Sequence, residues 1–193
     1  MDAPAPAAGL RIHPCGEDDA RALTSREPVG KDYASSVFAA QQQELCLFLV
    51  AWIGEVPVGS GELVWKQVPE LRNLHVEAGF RSRGVGSALI AEAEDAARPL
   101  GRIGLAVGID NPDARRLYER LGFAATGESE TCTYEYVDDA GVRRSATETS
   151  QRLEKELPRA LRRGNSDAAA SPRPASERRP PAFTSGARRP AAQ

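Results

Sequence analysis

Residues 81–86, which read RSRGVG, have the composition of a phosphate-binding turn. Gly84 and Gly86 permit a tight backbone turn, and the exposed N–H groups at the start of the following helix, together with its dipole, attract anions. Arg81 and Arg83 add positive charge beside the glycines. By itself, such a turn is equally typical of a solvated connection between a strand and a helix. The neighbouring residues must therefore decide its role.

Two common phosphate loops can be compared with this segment. Residues 79–84 have the glycine spacing of a P-loop, but Val-Gly stands where Lys-Ser or Lys-Thr must reach the phosphates and Mg²⁺. This argues against a nucleoside triphosphatase. Residues 84–89 begin like a dinucleotide fingerprint, although Leu89 replaces its third small residue. Asp110 could imitate the ribose-binding acid, so a nicotinamide-binding protein stays as an alternative.

Residues 111–123, which read NPDARRLYERLGF, contain the signals for both ends of a helix. Asn111 is a good N-cap, the following proline suits the first helical position, and Gly122 suits the C′ position. Helical spacing places four apolar or aromatic residues on one face, namely Ala114, Leu117, Tyr118 and Leu121. On spacing alone, Tyr118 is predicted to be a core aromatic.

The two segments together resemble the GNAT superfamily of acetyl-CoA-dependent N-acetyltransferases. From residue 70 to residue 86 the chain resembles motif A, whose loop reads Arg/Gln-x-x-Gly-x-Gly/Ala and is here Arg81-x-x-Gly84-x-Gly86. Residues 111–123 resemble motif B, which reads Asn-x-x-Ala-x-x-Leu-Tyr-x-x-x-Gly-Phe. The resemblance covers residues 10–157 in outline and residues 70–123 strongly.

The resemblance implies a binding site for acetyl-CoA. The pantetheine arm would enter between two splayed strands and pair with backbone groups near Leu74, His75 and Val76. Asn111 would reach the pantetheine, and Ala114 and Tyr118 would line the same site. The pyrophosphate would lie on the N–H groups of the turn and the helix start, which comprise Arg81, Ser82, Arg83, Gly84, Val85, Gly86 and Ser87.

The resemblance also implies roles in acetyl transfer, which needs a base for the amine, an oxyanion donor and an acid for the thiolate. Tyr118 would be the acid, because the family's tyrosine points its hydroxyl at the thioester sulfur. The backbone N–H near Val76 would be the oxyanion donor. Glu70 occupies the strand position of the general base in some family members, and it is equally compatible with a surface carboxylate. Glu62, His75 or a water relay are the alternative bases.

These residues require a sheet to position them. Helical patterns occupy residues 17–43, whose internal breaks the pattern does not place, residues 85–97 and the capped segment described above. Strand patterns occupy residues 10–13, 44–53, 57–65, 71–76, 103–107, 131–137 and 142–153. The sequence predicts an α/β fold, with a single mixed, mostly antiparallel sheet of about six to seven strands and helices on both faces.

Composition predicts three parts of the chain. A length of 193 residues with 41% hydrophobic residues suits one domain, at residues 9–157, after a flexible lead at residues 1–8. Residues 158–193 are rich in Ala, Pro, Ser and Arg and are predicted to be disordered. This tail has a formal charge of +6, which leaves −8 for the preceding residues. Its arginines are dispersed and lack interleaved aromatic residues, which argues against nucleic-acid binding.

The predicted function is acetyl transfer from acetyl-CoA to a primary amine by direct attack. The acceptor is a small-molecule amine or a protein amino group, and a homodimer is left open. An acetyl-CoA sensor or interaction module is the alternative, although Tyr118 argues for catalysis because binding alone needs no hydroxyl at the sulfur. No metal is predicted, because the three cysteines lack a CxxC pair and the two histidines are scattered. The absence of a signal-peptide pattern and of a long apolar run predicts a cytoplasmic protein without a membrane partner.

Overall fold

The computed structural model describes residues 8–29, 31–138 and 142–158. Residues 1–7 of the predicted lead and residues 159–193 of the predicted tail lie outside the described residues. The strands are β1 (Leu10–Pro14), β2 (Cys46–Ile53), β3 (Val56–Val64), β4 (Glu70–Val76), β5 (Arg102–Gly108), β6 (Ala124–Val137) and β7 (Arg143–Glu156). The helices are α1 (Glu17–Thr24), α2 (Tyr33–Gln42), α3 (Val85–Ala97) and α4 (Pro112–Arg120).

The strands form one seven-stranded sheet in the order β1-β2-β3-β4-β5-β7-β6. β4 and β5 are parallel, and the other neighbours are antiparallel. Within the described part of the chain, β4 and β5 pair only at Glu70↔Gly104 and Leu71↔Leu105. The two strands therefore part after their first residues. The prediction of a mixed, mostly antiparallel sheet with six to seven strands is confirmed.

Helices cover both faces of the sheet, as predicted. On one face, here called the α3 face, α3 and α4 pack against a core that includes Leu71, Leu105 and Leu153. On the other, here called the α1 face, α1 and α2 pack against a second core around Phe48 and Val50. On the α3 face, α3 contacts both β4 and β5 and therefore lies beside the gap between them.

The helix predicted at residues 85–97 is confirmed as α3. Its N-cap, Gly84, has a left-handed φ of 80°, and a 3-10 turn at Arg98–Leu100 follows its last residue. The polar region at residues 17–43 divides into α1 and α2, a break that its sequence pattern did not place. β6 and β7 are longer than predicted because cross-strand pairing continues through polar segments where hydrophobic alternation is weak.

Candidate active site

The turn before α3 has the backbone geometry of an anion site. Ser82 and Gly84 both have positive φ angles, of 58° and 80°. The N–H of Ala88 donates to the carbonyl of Gly84 over 2.9 Å, which makes it the first amide of the regular helix. The amides of residues 85–87 therefore lie at the helix N-terminus, where no intrahelical acceptor is within reach.

Both arginines of the turn lie exposed around it. The Nε of Arg81 donates to the carbonyl of Val76 over 3.2 Å, which ties the turn to the end of β4. The guanidinium of Arg83 lies 5.6 Å from the ring centroid of Phe80, within the range of a cation–π contact. The guanidinium groups thus add positive charge beside the helix N-terminus.

Three elements that carry predicted site residues meet at Gly86. A Cβ placed on this glycine would lie 3.6 Å from Cγ2 of Val76 in β4 and 3.7 Å from Cδ2 of Leu117 in α4. The next residue in α4 is Tyr118, which is half-buried and packs its ring edge-on against Phe123 with centroids 6.0 Å apart. The turn, the end of β4 and Tyr118 therefore share one region of the molecule.

The predicted cap of α4 is present. The side chain of Asn111 accepts a hydrogen bond from the N–H of Ala114 over 3.1 Å. The predicted apolar face of α4 packs on the core with all four of its members, Ala114, Leu117, Tyr118 and Leu121. Tyr118 thus has the packing of a core aromatic as well as a position beside the turn, and both interpretations of this residue stand.

The last residues of β4 present backbone groups to the gap. The N–H of Glu77 donates to the carbonyl of Val58 in β3 over 2.9 Å. Because hydrogen-bonded and non-hydrogen-bonded pairs alternate in an antiparallel ladder, the Val76 N–H points away from β3 and towards β5. Asn73, with a positive φ of 49°, lies where the β3–β4 register shifts. Leu74, His75 and Val76 follow this irregularity, half-buried along the gap.

Glu70 lies at the base of the gap in a cluster of ionic contacts. Its buried carboxylate accepts hydrogen bonds from Lys66 Nζ over 2.6 Å and from Arg72 Nε over 2.7 Å. The Nη1 of Arg152 in β7 lies 3.8 Å from it. Burial alone would raise the pKa of Glu70, but the hydrogen bonds and charges of Arg72 and Lys66 outweigh burial and lower this pKa to about 2. Such a carboxylate holds cations firmly and accepts protons poorly.

Glu62, one strand away, has the opposite properties. Burial raises the pKa of its carboxyl, and the hydrogen bond that it accepts from Asn73 Nδ2 over 3.0 Å only partly opposes this effect. The buried hydroxyl of Tyr33, from α2, lies within electrostatic reach of Glu62 and of Asn73, but makes no hydrogen bond of good geometry to a described residue. The other alternative base, His75, has its Nε2 3.6 Å from Oε1 of Glu77.

Two further acidic groups lie at the open end of the gap: Asp110, which the sequence interpretation considered only as a possible ribose-binding acid, and Glu148, which it missed. A Cβ on Gly108, the last residue of β5, would lie 2.7 Å from Oε1 of Glu148 and 2.7 Å from Oδ1 of Asp110. Glu148 also accepts a hydrogen bond from the Tyr134 hydroxyl over 3.3 Å. No motif marks Glu148, because it reaches this place only through the pairing of β7 with β5.

The described residues carry no group of three or more His, Cys, Asp or Glu side chains arranged to hold a metal ion. Across residues 8–29, 31–138 and 142–158, no helix is both long and apolar enough to cross a membrane.

A model of the acetyltransferase (GNAT) family matches residues 16–123, which is more than half of the chain. The chain belongs to the GNAT family. The resemblance inferred from the turn and from the capped helix is confirmed, and both segments lie inside the matched range. The site described above therefore lies in a chain whose family is one of acetyltransferases.

One curated GNAT relative is an uncharacterized N-acetyltransferase from Methanocaldococcus jannaschii. It is 42% identical over 60 residues, which are 30% of this chain and 26% of that protein. The matched segment therefore spans about a quarter of the relative's length.

Solved GNAT structures share the fold at low sequence identity. The ribosomal-protein-S18-alanine N-acetyltransferase from Escherichia coli superimposes with a TM-score of 0.57 at 20% identity, covering 81% of this chain and 99% of that one. The spermidine N-acetyltransferase from Vibrio cholerae, solved in complex with CoA and spermine, superimposes with a TM-score of 0.58 at 17% identity, covering 79% and 98%. At these identities the likeness is one of fold.

Proposed function

We propose that this protein transfers an acetyl group from acetyl-CoA to an amine by direct attack. The observation that carries the proposal is the meeting of three features at Gly86: the open edge of β4, the helix N-terminus of α3 and the helix that bears Tyr118. A strand edge can bind an extended ligand through its backbone, and a helix N-terminus can bind phosphate. Membership of the GNAT family supports the same chemistry.

The residues present fit acetyl-CoA. The pyrophosphate would lie on the amides of the turn and of the first turn of α3, beside Arg81 and Arg83. Gly86 supports this fit. A Cβ at this position would be in van der Waals contact with Val76 and Leu117, and because glycine has no Cβ, a ligand can approach the backbone there. The pantetheine would pair with the backbone of residues 74–76, with Asn111, Ala114 and Tyr118 on its far side. When bound, acetyl-CoA supplies an activated thioester with a thiolate leaving group.

Two groups of this chain would assist the transfer. The Val76 N–H, which points into the gap, would donate a hydrogen bond to the acetyl carbonyl oxygen. The Tyr118 hydroxyl would donate a proton to the departing sulfur.

For the general base we propose Glu62 in preference to Glu70. A base for an ammonium group works best when its pKa approaches the operating pH, and burial shifts the pKa of Glu62 in that direction. Glu70 has its pKa lowered to about 2 by Arg72 and Lys66, so it would rarely accept a proton. Asn73 would keep the Glu62 carboxylate in place through its hydrogen bond.

The role of Glu62 can be tested by its pH dependence. Glu62→Gln should lower turnover most at a pH where the amine is still protonated, and the defect should shrink as the pH rises and the amine loses its proton unaided. Initial rates across pH 6 to 10 provide the measurement, with Glu55→Gln in the exposed β2–β3 turn as the matched control. A defect that stayed constant over this range would exclude Glu62 as the base.

The acceptor that we propose is a small-molecule amine or a protein amino group. Relatives in fold are named for both kinds: the Escherichia coli enzyme for an alanine of ribosomal protein S18, and the Vibrio cholerae enzyme for spermidine. We also propose that the protein acts in the cytoplasm.

Screening the purified protein with acetyl-CoA against a library of amines tests the proposed function. Free thiol release should appear with some amines and stay near background without an amine. Tight acetyl-CoA binding by calorimetry with no amine-dependent release would contradict catalysis and favour the sensor alternative.

A further inference from the structure

A cavity of about 480 Å³ lies on the α1 face at the point where β4 and β5 part. Arg72 and Ala106, which directly follow the last paired residues of the two strands, both line it. Its floor also includes Glu70, while Ser150 and Arg152 of β7 form one wall. The cavity is therefore continuous with the gap proposed to hold the thioester.

Cationic side chains surround one buried carboxylate at the floor of this cavity. Lys66, Arg72 and Arg152 have exposed side-chain fractions of 43%, 41% and 26%, whereas Glu70 has 7%. Glu70 already accepts hydrogen bonds from Lys66 and from both Nε and Nη2 of Arg72. A guanidinium carries five N–H donors, so the arginines retain donors for a further acceptor.

The other two acids that line the cavity, Glu128 and Glu130, are exposed, while Glu154, outside the lining, is 27% exposed and pairs with Arg152. Arg152 Nε donates to Glu154 over 2.9 Å and lies 3.9 Å from Glu128, which is 76% exposed. Glu130 lines the outer wall and is also exposed. Water and salt screen exposed acids, while the partly buried arginines interact at short range with whatever fills the cavity. The floor therefore favours an anionic group and the outer wall a cationic one.

The absence of a side chain at Gly104 makes room for the guanidinium of Arg152. A Cβ on this residue would lie 3.0 Å from Nη2 of Arg152, closer than ordinary van der Waals contact. Glycine at this point in β5 thus lets the guanidinium lie directly over the strand.

We infer that the acceptor is an amine that also carries a carboxylate, which binds to Arg72 and Arg152 in this cavity. The inference rests on the proposed acetyl transfer and names the acceptor class for the same site. A planar carboxylate matches the fork of N–H groups on a guanidinium, and Ser150 supplies a hydroxyl beside it. Arg72 lies two residues before Leu74, about 7 Å along the strand, so one small molecule reaches both the arginines and the thioester. A polyamine carries no acceptor for the remaining N–H donors of Arg72 and Arg152 at the floor of the cavity.

Matched pairs of acceptors test the inference. Lysine and cadaverine, or ornithine and putrescine, differ in the carboxylate while keeping a primary amine on a carbon chain. The protein should acetylate the carboxylated member of each pair with a kcat/KM at least ten times that of its partner. Equal or better turnover of the diamines would overturn the inference and leave the proposed function intact. If acetyl-CoA bound but neither member of either pair were acetylated, the inference would fail, while the proposed function would fail only if the wider amine library also gave no thiol release.

Substitutions in β7 separate recognition of the carboxylate from support of the fold. Arg152→Gln should lower kcat/KM for the carboxylated acceptors on the order of ten- to a hundredfold, the effect of losing a charged hydrogen bond, and change it less than about threefold for the diamines. Ser150→Asp, which adds an acid without removing a partner of Glu70, should shift the preference towards the diamines. Arg143→Gln, at a highly exposed position on the same strand, is the matched control. Equal losses for both members of a pair, at an unchanged melting temperature, would overturn the inference.

Discussion

Two carboxylates on neighbouring strands show how local contacts decide the chemistry of a residue. Glu62 and Glu70 both lie on the α1 face, and both are largely withdrawn from water. Burial raises the pKa of each carboxyl, but only Glu70 has cations close enough to reverse the shift. The sequence indicated Glu70 as the candidate base and Glu62 as an alternative. It could not show that Lys66 and Arg72 direct their side chains onto a buried Glu70 carboxylate and lower its pKa.

The pairing of Glu70 predicts an effect of pH on stability. A carboxyl whose pKa falls from 4.5 unfolded to about 2 folded stabilises the fold above pH 4.5, and this contribution is lost as the pH drops towards 2. Glu70→Gln should therefore lower the free energy of unfolding near pH 7 by on the order of 3 kcal/mol, and its difference from the parent should shrink below pH 4.5. Urea unfolding between pH 2 and 7 measures this difference, with the exposed Glu55→Gln as control. A difference independent of pH would contradict it.

Tyr118 provides the clearest test of a single catalytic group. Tyr118→Phe should keep acetyl-CoA affinity within a few-fold, since the ring still packs against the core of the α3 face and against Phe123. Turnover should fall by on the order of ten- to a thousandfold, the range for loss of a positioned acid that solvent partly replaces. Steady-state kinetics and calorimetry measure the two quantities. Parental turnover across pH 6 to 10 would leave Tyr118 as a core aromatic only.

Among the helices and strands, the sequence predicted the bounds most accurately where local end signals agree with tertiary packing. α3 and α4 have glycine, proline and asparagine at their ends, and each begins at the residue that these signals predicted. The outer ends of the β6–β7 hairpin and the break between α1 and α2 lack such signals, so their positions follow from contacts with the sheet. The same two regions supply Arg152, Glu148 and Tyr33, which explains why the sequence left the proposed acceptor side of the site undescribed.

The start of α3 predicts a graded response to side-chain size at Gly86. A single methyl group at this position meets its neighbours at 3.6 and 3.7 Å, ordinary contact distances, so Gly86→Ala should bind acetyl-CoA within a few-fold of the parent. Gly86→Val adds branched methyl groups beside the proposed pyrophosphate site and should weaken binding by more than tenfold. Calorimetry on the three proteins provides the comparison. Equal dissociation constants for the valine variant and the parent would place the phosphate site elsewhere.

For the molecule as a whole, the amino-acid composition predicts a folded domain at residues 9–157 and a disordered tail at residues 158–193. The packing of the last described residues suggests where a deletion can test this boundary. Leu157 is the last buried residue described, at 4% exposure, and its N–H donates to the carbonyl of Gly101 over 2.8 Å. Residues 164–193 follow this contact and have Phe183 as their only aromatic. A segment with so little apolar surface contributes little to a core. Catalytic and folding functions are therefore expected to reside in the residues before it.

Deleting residues 164–193 should leave the melting temperature within about 2 °C and kcat within about twofold of the parent, because a segment of this composition has too few apolar residues to contribute a core. A longer deletion that begins at residue 153 is the contrasting variant. It removes Leu153 and Leu157 from the core and should prevent stable folding, since each is almost fully buried. Thermal unfolding and thiol release measure both proteins. If the shorter deletion lowered either quantity well beyond these limits, the tail would belong to the functional unit, and the boundary near residue 158 would be wrong.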